Sequence, residues 1–289
     1  MGGVVPSVYA PVKTIWKFNV RGIIRPRQEF FLWLESHGYF EMIKQFLRRI
    51  LNRFGIVAFK RSSRIYIPED ESYRIVAKLV ECPAPAIIDG GAHLGGATEI
   101  LETLLPDATF YCFEPDPTLV QILENKFTDN PQVRVVQAAL GDIAGKAKFN
   151  INASRPTNSL LPSSESLQPD LKQLCQLVEQ VEVGIITIDE YCRDNSIERI
   201  DVIKLDLQGY DYRALKGAAA MLENAKVVLV EVLFKEIYKG CHCFPDILDL
   251  MIDQGFKLHT LCGLHYGEAD ELLWADAIFV KSTMPTIGS

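Results

Sequence analysis

The stretch Ala86-Ile87-Ile88-Asp89-Gly90-Gly91-Ala92-His93-Leu94-Gly95-Gly96 decides the fold. An apolar run ends in an acid, a glycine-rich turn follows, and sequence suited to a helix begins. That is how a nucleotide-binding α/β unit opens: glycines let the backbone approach a ligand, and a helix N-terminus supplies free N–H groups. The dinucleotide fingerprint Gly-x-Gly-x-x-Gly is not met, because Ala92 stands at its middle glycine. What stands instead is Asp89, Gly91 and Gly95 in the pattern Asp-x-Gly-x-x-x-Gly. About 20 residues on, where such folds place an acid, the apolar run Phe110-Tyr111-Cys112-Phe113 ends in Glu114. An acid at the tip of the second strand can take both hydroxyls of a ribose.

Outward from this unit, from about residue 70, strand and helix patterns alternate. Strands are predicted near 86–90, 109–114, 133–138, 200–206, 226–232, 256–261 and 273–281. Helices are predicted near 71–81, 95–105, 116–127, 209–222 and 244–254. Alternation of this kind builds a mostly parallel sheet with helices on both faces. The last two strands flank a short polar loop, Gly263 to Asp270, and can pair as an antiparallel edge hairpin. Residues 143–195 interrupt the alternation with a strand at 146–152, a loop rich in Ser, Pro and Asn, a helix near 170–179 and a strand at 181–188. An insertion over a nucleotide site suits a lid or an acceptor-binding element. Residues 1–69 read as a helical N-terminal extension ahead of a domain over 70–289. In the extension, Phe30, Phe31, Leu34, Phe40, Ile43, Phe46, Leu47 and Ile50 recur at helical spacing within residues 27–54. The stripe fits burial against the body, and a helix making peripheral contact with a membrane would show the same pattern.

At 289 residues, 48% hydrophobic and 23% charged, the chain can bury a large core and has the make-up of a soluble globular protein. No apolar run reaches the roughly 18 residues of a membrane span. The N-terminus lacks the layout of a secretory leader. Seven scattered cysteines suit buried thiols in a reducing cytoplasm. Cys241-His242-Cys243 has no second Cys or His pair at zinc-finger spacing, so no metal is expected. The net charge of −7 hides an asymmetry, because residues 1–60 carry 10 Lys or Arg against 3 acids. The acidic remainder argues against a nucleic-acid enzyme. The basic segment reads as a solvated helix face, or as a surface for an anionic substrate or membrane.

Lys204-Leu205-Asp206-Leu207-Gln208-Gly209, followed by Leu215-Lys216-Gly217, resembles the signature Lys-x-Asp-x-Glu-Gly … Leu-x-Gly of FkbM-type S-adenosylmethionine methyltransferases. Asp89 to Gly95 resembles their first motif, and Phe113-Glu114-Pro115 their second. Ala138-Ala139-Leu140-Gly141-Asp142 resembles the segment after their third strand, and Asn158-Ser159-Leu160 the small polar motif of their insertion. The likeness covers residues 70 to 282, and several motifs in the right order are more specific than any one. His93 stands where the family usually has Asn, and Gln208 where it usually has Glu. The resemblance implies a Rossmann-like class I methyltransferase fold whose strands lie in the order third, second, first, fourth, fifth, seventh, sixth. It also implies transfer of a methyl group from S-adenosylmethionine to a hydroxyl of a sugar, glycolipid or natural product. Two other readings remain beside it: a nicotinamide-dependent oxidoreductase, which Ala92 opposes, and a non-catalytic binding module, which the intact motifs oppose.

The site residues follow. Asp89 braces the glycine turn near the donor's amino-acid end, lined by the backbone of Gly90, Gly91 and Ala92. His93 can hydrogen-bond a ligand from the same turn, and Gly95 opens the helix. Glu114, followed by Pro115, takes the ribose. Ala139 and Asp142 lie near the adenine, although Asp142 in Gly-Asp also suits a simple turn. Asp206, at the tip of the fourth strand, is a candidate for donor binding and for catalysis; its other reading is an acid at a helix N-terminus. Lys204 lies on the same strand face and can pair with Asp206 or Asp89. Glu231, deep in an apolar run, and His242 complete the candidate bases.

Overall fold

Adjacent residues of an extended strand face opposite ways. Ile87 and Ile88 are both fully buried, so the strand that holds them is covered on both faces. The computed structural model describes residues 69–267 and 270–282. The extension expected over 1–69, with its stripe at 27–54, lies outside these residues but for Glu69. The described chain runs α1 (Glu69–Leu79), β1 (Ala86–Gly90), α2 (Gly96–Leu104), β2 (Thr109–Phe113), α3 (Pro117–Lys126), β3 (Val133–Val136), β4 (Ala139–Leu140) and β5 (Gly145–Asn152). A 3-10 turn at Arg155–Thr157 leads to α4 (Pro169–Leu174), β6 (Leu177–Ile186) and α5 (Ile188–Asp194). Then come β7 (Val202–Leu205), α6 (Asp211–Lys216), α7 (Ala219–Asn224), β8 (Val227–Leu233), α8 (Phe244–Asp253), β9 (Phe256–Tyr266) and β10 (Leu272–Lys281).

Seven strands pair in the order β3-β2-β1-β7-β8-β10-β9. The first five are parallel. β10 runs antiparallel to both of its neighbours, β8 and β9. The expected order and edge hairpin are both present, with the last strand set inside the one before it. One face of the sheet packs Ile88, Phe113, Ile203 and Val228 with Leu215 of α6, Leu222 of α7 and Met251 of α8. The other packs Ile87, Phe110, Val202 and Val227 with Val76 of α1, Leu101 of α2 and Leu123 of α3. Each such side chain, fully buried, contributes about 1.5–3 kcal/mol. The strand order reverses between β1 and β7, and the crevice there is where ligands bind in open α/β sheets.

The insertion forms a second sheet, in the order β4-β6-β5, around Ala139, Phe149, Ile151, Val183 and Ile185. Ser164 N–H donates to the Ile237 carbonyl at 2.8 Å, and Lys239 N–H to the Pro162 carbonyl at 2.8 Å. The insertion is thereby tied to the segment after β8. Two expectations fail here. The helix over 209–222 is two helices, broken at Gly217-Ala218. A Cβ on Gly217 would lie 2.0 Å from the Gly141 carbonyl oxygen, so the chain turns there to pack backbone on backbone. The Asp189 carboxylate then caps α7 by accepting from Ala220 and Met221 N–H at 2.9 and 3.0 Å. The helix expected to reach 179 stops at Leu174, because Leu177 and Glu179 already pair with Asn152 and Ile151 across the β5–β6 hairpin. Among the described residues no helix is long and apolar enough to cross a membrane. All seven cysteines are free thiols.

Candidate active site

After Gly90 the chain turns back over the strand tips. Gly91, His93 and Gly95 adopt φ of 71°, 50° and 76°. Among side-chain-bearing residues Asn and His are enriched in this left-handed region, so His93 keeps the conformation the family's Asn would adopt. A Cβ on Gly91 would fall 2.0 Å from the Asp206 carbonyl oxygen. The sequence suggested a glycine that clears room for a ligand; the structure gives it a second task, contact between this turn and the tip of β7. Gly95 is the N-cap of α2.

Asp89 is fully buried, and its Oδ2 accepts from Thr98 Oγ1 at 2.7 Å. Its Oδ1 lies 2.9 Å from Lys204 Nζ, a close ion pair without the alignment of a hydrogen bond. Lys204 Nζ also donates to the carbonyls of Gly90 and Gly91 at 3.3 and 3.2 Å. Burial opposes the ammonium charge, but Asp89 and Asp206 outweigh it and hold the Lys204 pKa above the usual lysine range. The pair fixes the turn from below. Ala92, on the same turn, is buried in the core rather than exposed to the cavity.

Glu114, at the tip of β2, is 4% exposed. Its Oε2 accepts from His93 N–H and its Oε1 from Asp116 N–H, both at 2.9 Å. A carboxylate has about four lone-pair sites, so two remain for a vicinal diol. Burial pushes its pKa up to about 7, against the pull of the two backbone N–H groups. For His93, burial is the largest influence and lowers the imidazole pKa, while Asp206 works the other way.

A cavity of about 250 Å³ opens beside these groups. Leu119, Ala138, Ala139, Leu140, Phe149 and Leu160 give it an apolar wall. Gly91, His93, Glu114, Pro115 and Asp206 line it from the strand tips. Arg155 and Asn158 line it from the insertion. The Arg155 guanidinium pairs with the buried Asp116, and Asn158 Nδ2 donates to the same carboxylate oxygen at 3.4 Å. Asp116 also caps α3 by accepting from Thr118 N–H. Sequence reasoning passed over Asp116 and Arg155. The Asp-Pro step before a helix was a signal for the first; nothing local announces an arginine that pairs across 39 residues.

At the other end stand Asp206 and Glu231. Gln208 Nε2 donates to Asp206 Oδ1 at 2.6 Å and to Glu231 Oε2 at 3.1 Å. Tyr238 donates its hydroxyl proton to Gln208 Oε1. Ser159 Oγ donates to the Gln208 carbonyl at 2.8 Å. Asp211 holds the turn below by accepting from Leu207 and Gly209 N–H at 2.9 and 3.2 Å. Burial first, then Asp206, raises the Asp211 pKa to about 7. Asp206 is on the cavity wall; Glu231 sits behind the amide. Of the expected residues, Asp89, Gly90, Ala92, Gly95 and Glu231 stand behind the lining, and Asp142 and His242 are not on it either. Asp142 is turned to Arg213 of α6, 3.8 Å away, instead of joining the wall. His242 stacks on Tyr212 with ring centroids 3.9 Å apart, outside the cavity lining.

This doubly wound sheet, with an antiparallel strand set between β8 and the edge strand β9 and a cavity at the switch point, is the fold of a class I S-adenosylmethionine-dependent methyltransferase. The pattern of the methyltransferase FkbM domain matches residues 89–258. The 2-O-methyltransferase NoeI of Sinorhizobium fredii is 25% identical over 184 residues, covering 62% of this chain and 76% of that protein. Methyltransferase sdnD of Sordaria araneosa is 25% identical over 196 residues, covering 60% and 74%. A solved structure, magnesium protoporphyrin IX methyltransferase from Synechocystis PCC 6803 with bound SAM, aligns over 74% of this chain and 79% of its own at 12% identity and a TM-score of 0.42. The chain belongs to the FkbM methyltransferase family, and its cofactor is S-adenosylmethionine. The nicotinamide and non-catalytic readings fall away.

Proposed function

We propose that this enzyme methylates a hydroxyl oxygen of a small-molecule or saccharide acceptor: a sugar, a glycolipid or another natural product. The observation that carries the reading is Asp206 on the cavity wall with Glu231 behind it, joined by one amide. A hydroxyl is a poor nucleophile until its proton begins to leave. A neutral amine attacks with a lone pair it already has. A pair of carboxylates at the transfer end therefore suits oxygen. The name of NoeI, a 2-O-methyltransferase, is in keeping with this.

The chain's own groups fit the donor. Glu114 binds the ribose hydroxyls with the lone pairs its backbone partners leave. Leu119, Ala138, Ala139 and Leu140 offer the adenine an apolar slot, and Pro115 shapes its edge. Asp206 and the backbone around Gly91 and His93 face the donor's amino-acid end with its α-ammonium, while Asp89, Lys204, Gly90, Ala92 and Gly95 keep that turn in shape. S-adenosylmethionine, when bound, supplies a methyl group already activated by its sulfonium. Asp206 removes the acceptor's proton, Glu231 is the second candidate base, and the insertion shields the site from water. No divalent ion is required. The domain over residues 70–289 carries this chemistry. Seven free thiols support a cytoplasmic location.

The test is incubation with methyl-labelled S-adenosylmethionine and a panel of saccharides, hydroxylated lipids, phenols and amines. Label on a hydroxyl oxygen is expected. Label confined to nitrogen or carbon would overturn the reading.

A further inference from the structure

Asn158-Ser159-Leu160 of the insertion is bound closely to the strand beside it. Ser159 exchanges both backbone hydrogen bonds with Asn150 of β5, at 2.9 and 3.2 Å. The Asn150 side-chain amide donates to the carbonyls of Ser159 and Leu161, both at 3.0 Å, and accepts from Gln180 of β6 at 2.8 Å. Asn152 N–H donates to Asn158 Oδ1 at 2.8 Å. Asn150, Asn152, Asn158 and Ser159 are all buried. A buried polar network with its partners in place is rigid, so this segment is part of the framework of the second sheet.

Asn158 has extended backbone, with φ −62° and ψ 137°. Neighbouring side chains on extended backbone point to opposite sides. Asn158 reaches one way, where Nδ2 donates to Asp116 Oδ2 at 3.4 Å on the loop after β2. Ser159 reaches the other way, where Oγ donates to the Gln208 carbonyl at 2.8 Å on the turn after β7. The same Oγ accepts from Leu161 N–H at 3.0 Å, which aims its proton. β2 and β7 are the two neighbours of β1. Their tips are therefore two strand spacings apart, about 9–10 Å. Two adjacent residues of the insertion join the tips on either side of the glycine turn, and Asn158 and Leu160 line the cavity together with Gly91 and His93. The chain of contacts continues to the ribose seat, because Glu114 Oε1 accepts from Asp116 N–H.

We propose that Asn158 and Ser159 are positioning residues: a two-residue strut that ties the Glu114–Asp116 loop to the Asp206–Gly209 turn and sets the distance from the ribose seat to the transfer end. Methyl transfer needs acceptor, methyl and sulfur in line, and a small misplacement is costly. A strut bonded at both ends holds that spacing from the insertion side, while Gly91 against the Asp206 carbonyl holds it from the sheet side. This rests on the reading of Glu114 as the ribose seat and of Asp206 as the transfer end.

The test needs no acceptor. Adenosine is the probe, because it carries adenine and ribose but no methionine part to touch Asp206 itself. Amide hydrogen exchange over residues 206–211 is followed by mass spectrometry with and without saturating adenosine. The full-length wild type, Ser159→Ala, Asn158→Ala and the double variant are compared, with adenosine binding measured by calorimetry. In the wild type, adenosine is expected to slow exchange over 206–211 roughly fivefold or more, the lower range of coupling between linked sites. Each single variant is expected to bind adenosine and to lose the slowing. The double variant is expected to lose no more than either single one, as for two links in series. Loss of stability alone would speed exchange with and without adenosine alike and leave the slowing in place. Slowing that persists in either folded single variant overturns the proposal, since adenosine then acts on the turn by another route. No slowing in a wild type that binds S-adenosylmethionine overturns it too and leaves the cavity assignment standing. If Ser159→Ala does not fold, Asn158→Ala decides alone. Failure of the wild type to bind S-adenosylmethionine removes both.

Discussion

At the donor end, Glu114 is met by N–H groups 21 and 2 residues away, both from turns that follow a strand. At the transfer end, Gln208 is met by Glu231, Tyr238 and Ser159, which are 23, 30 and 49 residues away and come from three separate segments. The first end is made by backbone geometry, the second by groups from three segments far apart in sequence. Backbone sites tolerate change in side chains that do not alter φ, as His93 for Asn illustrates. Side-chain networks are changed by one atom, as the amide nitrogen of Gln208 illustrates.

A substitution that strikes both ends at once should have the largest effect. Gly91→Val places a β-branched residue at φ 71° with its Cβ against the Asp206 carbonyl. Loss of donor binding and of turnover together is expected, measured by titration and single-turnover transfer on protein first shown to be folded by circular dichroism. Normal donor affinity would mean that the two ends are not mechanically joined.

Asp206→Asn should separate the ends. It keeps the shape of the side chain and removes the base. Turnover at saturating donor is expected to fall by about two to four orders of magnitude, with a much smaller loss of donor affinity. Glu231→Gln is expected to lose as much or less. If both stay near normal while His93→Ala is dead, the imidazole is the base.

Acidity should weaken the donor end through Glu114, and Asp211, also raised to about 7, titrates in the same range beneath the turn at the transfer end. In the proposed site the ribose would be received by lone pairs that the ionised form of Glu114 offers more fully than the protonated form. With a pKa of about 7, affinity is present above that pH and is lost as the pH falls through it. From pH 8 to pH 6 the loss is expected to be roughly tenfold, by titration, and Glu114→Gln should flatten the profile. A wild-type profile that is flat as well would place the carboxyl pKa elsewhere. The smallest effect is expected for Arg155→Ala. Its partner Asp116 is buried but the arginine is 43% exposed, so solvent screens much of the pair. A drop of a few-fold in donor affinity, roughly 0.5–1 kcal/mol, together with faster proteolysis of the insertion, would show that the Arg155–Asp116 pair holds the insertion beside the cavity.

The same contrast governs what the sequence could show. The central strands are legible because they are buried apolar runs, most of them ended by a glycine or an acid, while their order and the antiparallel edge come from the resemblance to a known family. Asp89 and Glu114 are legible because they end such runs. The break at Gly217 is not, since its cause is the Gly141 carbonyl on a distant segment. Asp142 and His242 looked suitable by position, yet Arg213 and the Tyr212 ring hold them elsewhere. Lys204 had two possible acids, and burial beside Asp89 decides for that one. Gln208 was visible as a departure from the family, but its partners appear only when β7, β8 and the insertion are brought together.

The central claim is that the donor occupies the cavity with its ribose on Glu114. Calorimetric titration of S-adenosylmethionine into wild type and Glu114→Ala at pH 8 tests it directly. Stoichiometric binding by the wild type is expected, with a loss of about 1.5–3 kcal/mol in the variant, as hydrogen bonds to a charged acceptor are removed. Equal affinities in two folded proteins would contradict it.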